Sequence, residues 1–137
     1  MYDLELVLED LHHIAWSLAQ IEKRFSSIVI VEDFMKDDAG LEKLDSICLQ
    51  LIAIGETLKH LDKLTESKLL ERYSGVDWKR AKGLRDIITH HYFDIDSETI
   101  FSVCKEHLPT MSKVIALIIA DLQREVAETA TGEDTRE

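Results

Sequence analysis

An all-α fold, an antiparallel up-and-down bundle of five to six helices, is what the sequence predicts, and three observations predict it. Apolar residues recur at steps of three and four through every long segment, which is the period of one helix face. Chain-breakers are scarce, with five Gly and one Pro in 137 residues, whereas a sandwich of short strands needs a turn residue every few positions. The length suits one domain with a sizeable buried core. We place that domain over residues 1–128 and expect 129–137 to be a flexible acidic tail, because it has almost no apolar content.

The first helix covers residues 2–25, where Leu4, Leu8, Leu11, Ala15, Leu18, Ile21 and Phe25 share a face. The next stretch, SSIVIVEDFMKDDAG, holds four β-branched residues from Ile28 to Val31 that suit a strand in isolation. Helical surroundings are expected to override that propensity. Asp37, Asp38 and Gly40 mark a break and offer a cap. A second helix runs from Leu41 to about Leu64 on the stripe Leu44, Ile47, Cys48, Leu51, Ile54, Leu58 and Leu61. Gly55 falls on the same stripe, where a missing side chain lets another helix approach. A short helix is expected over Glu66–Arg72, followed by a turn at YSGVD. Asp77 then caps a helix that reaches His90 or His91. FDIDSET interrupts the chain, Asp96 or Ser97 caps a helix over about 98–107, and Pro109 opens the last helix, 109–127.

The net charge of −11 speaks against a general nucleic-acid coat, since phosphate binding is built on Lys and Arg. Charge is unevenly spread, however. Between Asp77 and Tyr92, Lys79, Arg80, Lys82 and Arg85 outnumber Asp77 and Asp86, a local +2. Such a spot can hold one phosphate or be a solvated helix face. Cys48 and Cys104 form no CxxC pair, which suits reduced thiols in the cytoplasm. The acidic N-terminus lacks the basic start of a signal peptide, and the apolar run VIALIIA is far short of the roughly 20 residues a bilayer requires. No membrane association is expected.

Metal and cofactor chemistry finds little footing. His12 and His13 are adjacent and would face about 100° apart on a helix, a poor chelate. His60 and His107 are solitary polar-face residues. No metal and no cofactor are expected. Trp78 should pack in the core, and Glu56, beside Gly55, either orients a cleft or makes an ion pair between helices.

Chemistry concentrates in GLRDIITHHYFDID, residues 83–96. On an ideal helix, Arg85 and Tyr92 nearly eclipse, while His90 points about 140° from Arg85. One straight helix therefore cannot aim all three at one point; the helix must end near His90, or two chains must share the site. Arg and His together suit phosphodiester cleavage without a metal. A guanidinium matches two phosphate oxygens and offsets charge in the transition state. A histidine can take a proton from a ribose 2′-OH or return one to the leaving oxygen. Full acid–base work wants two such groups, and His91 is less clearly placed than His90. The alternative reading is a cationic helix C-terminus favoured by the helix dipole.

Arg85, His90 and Tyr92 together form R-x4-H-x-Y, and on this motif the chain resembles the HEPN superfamily, more narrowly its HepT-like toxins. LQLIAIGE at 49–56, the Tyr73–Trp78 segment, GLRD at 83–86 and the approach to Pro109 extend the likeness over roughly residues 1–125. Asp86 stands where many relatives carry Asn. The resemblance implies a HEPN-like homodimer and a metal-independent endoribonuclease acting on RNA. Arg85 and His90 of both protomers would be catalytic at the dimer cleft. Asp86, Lys82, Arg80 and His91 are candidate supporting or phosphate-binding residues. It further implies a type VII toxin–antitoxin pair, in which an MntA-like nucleotidyltransferase antitoxin transfers AMP onto Tyr92. The competing expectation is a non-catalytic module in which the same residues merely hold a nucleotide or the nucleotidyltransferase.

Overall fold

The computed structural model describes residues 2–134, apart from the side chains of Tyr92 and of residues 130–134. It is all-helical, with no strand among the described residues. Four rods build it: α1, Leu4–Phe25; α2, Asp38–Thr65; α3, Trp78–His90; and α4, which runs from Ser97 to Asp134 in three joined segments.

The expected five to six helices thus become four, for two local reasons. The helix expected over Glu66–Arg72 is a turn followed by a short 3-10 segment, Leu70–Arg72. Glu66 and Ser67 both take positive φ, 54° and 61°, which ends α2, and the Ser67 N–H closes on the Asp62 carbonyl. The two helices expected on either side of Pro109 are one continuous path. A π turn, Val103–His107, joins Ser97–Ser102 to Leu108–Asp134. Proline cannot donate to the carbonyl four residues back and its ring crowds that carbonyl. The widened turn just before it, in which the Leu108 N–H reaches the Val103 carbonyl, accommodates the ring without breaking the rod. This last helix continues past its expected end near residue 127, to Asp134. Of the expected tail, residues 135–137 lie outside the described residues.

The caps are as the sequence predicts. Asp37 Oδ1 accepts the Gly40 N–H, Asp77 Oδ1 accepts the Arg80 N–H, and Asp96 Oδ1 accepts the Glu98 N–H. The β-branched run before α2 forms no strand. It enters a 3-10 turn, Val31–Phe34, that is held by Asp33 Oδ2 accepting the Val29 and Ile30 N–H groups. Those bonds keep the Asp33 carboxyl below its usual range.

The core lies among α1, α2 and α4. Leu11, Ile14, Ile47, Leu58, Ile115 and Ile118 are wholly or almost wholly buried. At one end Phe25 meets Phe101 edge-on at 5.3 Å and Phe34 joins them, so the end of α1 lies against the start of α4. Cys48 and Cys104 are buried free thiols, and burial pushes them up to about 11 and about 12, which leaves them unreactive at neutral pH. His60, expected to be solitary, is paired: its Nδ1 lies 2.5 Å from Oδ2 of the buried Asp10. This contact joins the first half of α1 to the last turns of α2. None of the helices is long and apolar enough to cross a membrane among the described residues.

The third rod packs mainly against α2 and adds Trp78 and Ile88 to the buried core. Trp78 anchors its start: it is buried and donates its Nε1–H to the Tyr73 carbonyl at 2.7 Å, while the Tyr73 hydroxyl donates to Asp121 of α4 at 2.8 Å. Burial, followed by the Asp121 contact, pushes the Tyr73 phenol up to about 12. Along the rod, Asp62 pairs with Lys82, and Gly55 faces Arg85. A Cβ built on Gly55 would lie 2.7 Å from the Arg85 Cβ, closer than two carbons can stand. Close approach, as expected, is the reason for glycine here.

Two glycine substitutions should therefore move stability in opposite directions. Gly55→Ala gains about 1 kcal/mol of helix propensity, but forces α2 and α3 apart at an atom that cannot swing away, an overpacking cost of about 1–3 kcal/mol. Gly83→Ala meets nothing within 4 Å and should stabilise by about 0.5–1 kcal/mol. Urea unfolding of both variants checks the pair; a Gly55→Ala as stable as Gly83→Ala would contradict the packing account.

Candidate active site at the end of α3

Close packing at Gly55 sets Arg85 beside the next residue of α2, Glu56. The Arg85 Nε donates to Glu56 Oε1 at 2.9 Å, and Nη2 lies 2.9 Å from the same oxygen. On the other side, Nη1 donates to Asp86 Oδ1 at 2.8 Å. Lys59, one turn along α2 from Glu56, reaches Asp86 Oδ2 at 3.5 Å. The four side chains form an alternating chain of charge, Glu56–Arg85–Asp86–Lys59, that sums to zero. Glu56 is thus the ion-pairing residue between helices, the second of the two roles its position allowed.

Electrostatics follow directly. The Asp86 and then the Glu56 hydrogen bonds hold the Arg85 guanidinium above its ordinary value, so it stays charged at any working pH. The Arg85 hydrogen bond, with Lys59 contributing, holds the Asp86 carboxyl below the usual carboxylate range. Of the five N–H groups of a guanidinium, those on Nε, Nη1 and Nη2 that face Glu56 and Asp86 are engaged by these carboxylates.

His90 is the last residue of α3 and is exposed. Its Nδ1 lies 2.9 Å from the Asp86 carbonyl oxygen. A carbonyl only accepts, so Nδ1 carries the proton, and in the neutral imidazole the lone pair is then on Nε2. In this tautomer the imidazole is ready to accept a proton at Nε2. Asp86 therefore serves both residues, Arg85 through its carboxylate and His90 through its carbonyl. The helix ends at the next residue, His91, whose φ is −125°, and a 3-10 turn, Tyr92–Asp94, follows. That is the first of the two arrangements the helical geometry allowed. The backbone of Tyr92 opens this turn; its side chain, where the sequence analysis sets the modification, lies outside the described residues.

The remaining candidates scatter. Lys82 is half-buried in an ion pair with Asp62, one turn back along α3. Arg80 is exposed and lines a groove on another face of α3. His91 is exposed at the helix end. Among the described residues, no group of three or more His, Cys, Asp or Glu has an arrangement that could hold a metal ion. Lys59 was missed by sequence reasoning. Its spacing of three from Glu56 on α2 was the available signal, but only the helix register shows that both face Arg85 and Asp86.

An all-helical bundle with an arginine and a histidine five residues apart at the exposed end of one rod is the arrangement that the HEPN resemblance implies. The chain belongs to the HepT-like ribonuclease family: the family model "Ribonuclease HepT-like" matches residues 14–118. Among similar proteins, one from Methanocaldococcus jannaschii named "Putative RNase" is 31% identical over 101 residues, 74% of this chain and 78% of the relative. A second from that organism, named "Gamma-glutamylcyclotransferase and putative RNase", is 28% identical over 72% of this chain, which spans only 45% of that longer protein. A "Putative RNase" of Caldanaerobacter subterraneus is 31% identical over 88 residues, 64% of this chain and 72% of that protein. No solved structure gives a significant match.

The direction of the Asp86 shift yields a pH prediction. A carboxyl held below its unfolded value contributes stability above the unfolded range and loses it as pH falls through the folded value. Asp86→Asn should lower the melting temperature slightly at pH 6–7, and the gap from wild type should close below about pH 4. Melting curves from pH 3 to 7 test this; a gap that widens toward acid would refute the pairing.

Proposed function

We propose that the protein is the ribonuclease toxin of a type VII toxin–antitoxin pair, cutting RNA without a metal at a cleft shared by two copies of the chain. One observation carries the reading: a permanently charged guanidinium and a histidine at the exposed helix end are both tied to Asp86, the first by its carboxylate and the second by its carbonyl. Arg85 binds the scissile phosphate and stabilises the pentavalent oxyanion. His90 Nε2 takes the 2′-OH proton, the 2′-oxygen attacks phosphorus, and the 5′-oxygen leaves with a proton from the second His90. The products are a 2′,3′-cyclic phosphate and a 5′-hydroxyl. Two copies of His90 are needed because a single imidazole cannot be both empty and loaded at once.

The neutral setting of Arg85 supports a restrained site. An RNA phosphate competes with Glu56 and Asp86 for the guanidinium, and the chain around it carries net −11. Transfer of AMP onto Tyr92 by a partner nucleotidyltransferase would add bulk and negative charge two residues from His90, excluding RNA by repulsion and sterics. The same clamped arginine is the observation that favours the second reading, a binding module that holds a nucleotide or the nucleotidyltransferase and cuts nothing.

Purified protein incubated with structured RNA in EDTA decides between them. We expect cleavage that falls about 10²–10³-fold in Arg85→Ala and about 10²–10⁴-fold in His90→Ala, with growth arrest relieved in parallel. Intact wild-type protein that neither cuts RNA nor arrests growth would leave the binding reading. Intact mass after co-expression with the nucleotidyltransferase should rise by whole AMP units in wild type and not in Tyr92→Phe; an equal gain in Tyr92→Phe removes Tyr92 from the switch.

A further inference from the structure

The Glu56–Arg85–Asp86–Lys59 chain sums to zero, so by itself it gives a polyanion little purchase. The seam beyond it differs. Glu56, Lys59 and Lys63 share one stripe of α2 at steps of three and four, and Lys79, Lys82 and Asp86 share one stripe of α3. The contacts Lys59–Asp86 and Asp62–Lys82 set the two stripes side by side and antiparallel. On that register Lys63 and Lys79 come next along the seam, on the side away from His90. Both are exposed, and neither has an ion-pair partner among the described residues. Along the seam Lys59, Lys63, Lys79, Lys82 and Arg85 outnumber Glu56, Asp62 and Asp86, in a chain whose net charge is −11.

Local stability does not account for this surplus. Lys63 suits the last turn of α2, where the helix dipole favours a cation. The first turn of α3, however, carries Lys79 and Arg80 and no acid, against the preference of its dipole.

We propose that the Lys63–Lys79 end of the α2–α3 seam is a phosphate track for a single strand of RNA, holding the nucleotides next to the one at Arg85. Lys79 is six residues from Arg85, about 9 Å along the helix, long enough for the next phosphates of an extended strand. Screening makes the local surplus decisive. At physiological ionic strength charges beyond about 8 Å are largely damped, so acids elsewhere on the surface act weakly on a strand lying over these lysines. A lysine offers phosphate a flexible point charge and carries no sequence information there, so the track holds a strand without reading its bases. Arg85 then need only orient the scissile phosphate, because the lysines supply the grip that its own neutral cluster lacks. The charge surplus stands on the register of the two helices; the identity of the strand as RNA rests on the ribonuclease reading.

Fluorescence anisotropy of the full chain with a labelled 2′-O-methyl hexanucleotide, whose blocked 2′-oxygens prevent cutting, tests the track. Lys63→Ala combined with Lys79→Ala should weaken binding about tenfold at low salt. The fall of log affinity with log salt should become shallower by about 1.4, because each single-strand phosphate contact contributes about 0.7. Lys63→Arg with Lys79→Arg should keep the wild-type slope, and Lys113→Ala, on α4, should change neither quantity. A wild type that does not bind the hexanucleotide, a slope unchanged by the alanine pair, or an equal fall with Lys113→Ala overturns the track. Cleavage separates the track from the ribonuclease reading. A wild type that binds through the two lysines but cuts no RNA keeps the track and refutes the nuclease; a cutting wild type whose KM for RNA is unchanged in the alanine pair refutes the track alone.

Discussion

The absence of one side chain at Gly55 is the constraint on which the rest of the site depends. Any Cβ there would collide with the Arg85 Cβ at 2.7 Å. With hydrogen in its place, α3 settles onto α2 closely enough for Glu56 to reach the guanidinium and Lys59 to reach Asp86. Helix interiors disfavour glycine by about 1 kcal/mol relative to alanine, so this position sacrifices local stability for the distance between two rods. The cost is borne where the core can support it, since Leu51, Ile54 and Leu58 on either side of Gly55 are buried.

From that close approach follows an electrostatic design. Arg85 is neither buried nor left to water. It is held at one-third exposure by carboxylates from both helices, which orient the fork and cancel its charge until something more negative arrives. Surface ion pairs of this kind add little stability. Their effect here is positional: they hold a long, flexible side chain between two carboxylates, and a pre-placed group loses less freedom when it binds. The same residue, Asp86, fixes the histidine tautomer through its carbonyl, so arginine and histidine are oriented by one residue despite facing different ways around the helix.

Much of the fold was legible because the apolar period states it directly. The stripes of α1 and α2, the Asp37, Asp77 and Asp96 caps and the packing role of Gly55 are all where residue spacing puts them. The errors share one cause. The Glu66–Arg72 segment has helical composition, but two residues of positive φ stop it without a glycine to announce the turn. At Pro109 the usual meaning of proline, a helix start, was overruled by a π turn that composition does not display. Within the candidate site, motif spacing singled out Arg85 and His90, and a break after His90 was one of the two arrangements that helical geometry left open. Glu56 as the partner of Arg85 remained one of two roles, and Lys59 was invisible, because both depend on the register between helices. Register is set by interdigitated side chains along the whole α2–α3 seam, from Asp62–Lys82 to Gly55–Arg85, and no short motif encodes it.

The π turn in α4 also changes the phase of everything after it. Buried residues along this rod are Ile100, Cys104, Leu108, Met111, Ile115, Ile118 and Leu122, spaced by four, four, three, four, three and four. Two consecutive steps of four drift away from a straight helical stripe, as a stutter does in a coiled coil. The drift falls on Val103–His107, where the wider turn takes up the extra residue and returns the stripe to the core. The rod is therefore two helices in different angular phase, spliced by one supernumerary residue. Loss of one residue within that splice would rotate one half against the other by about 100°, and either Ile100 or Ile115 would have to leave the interior.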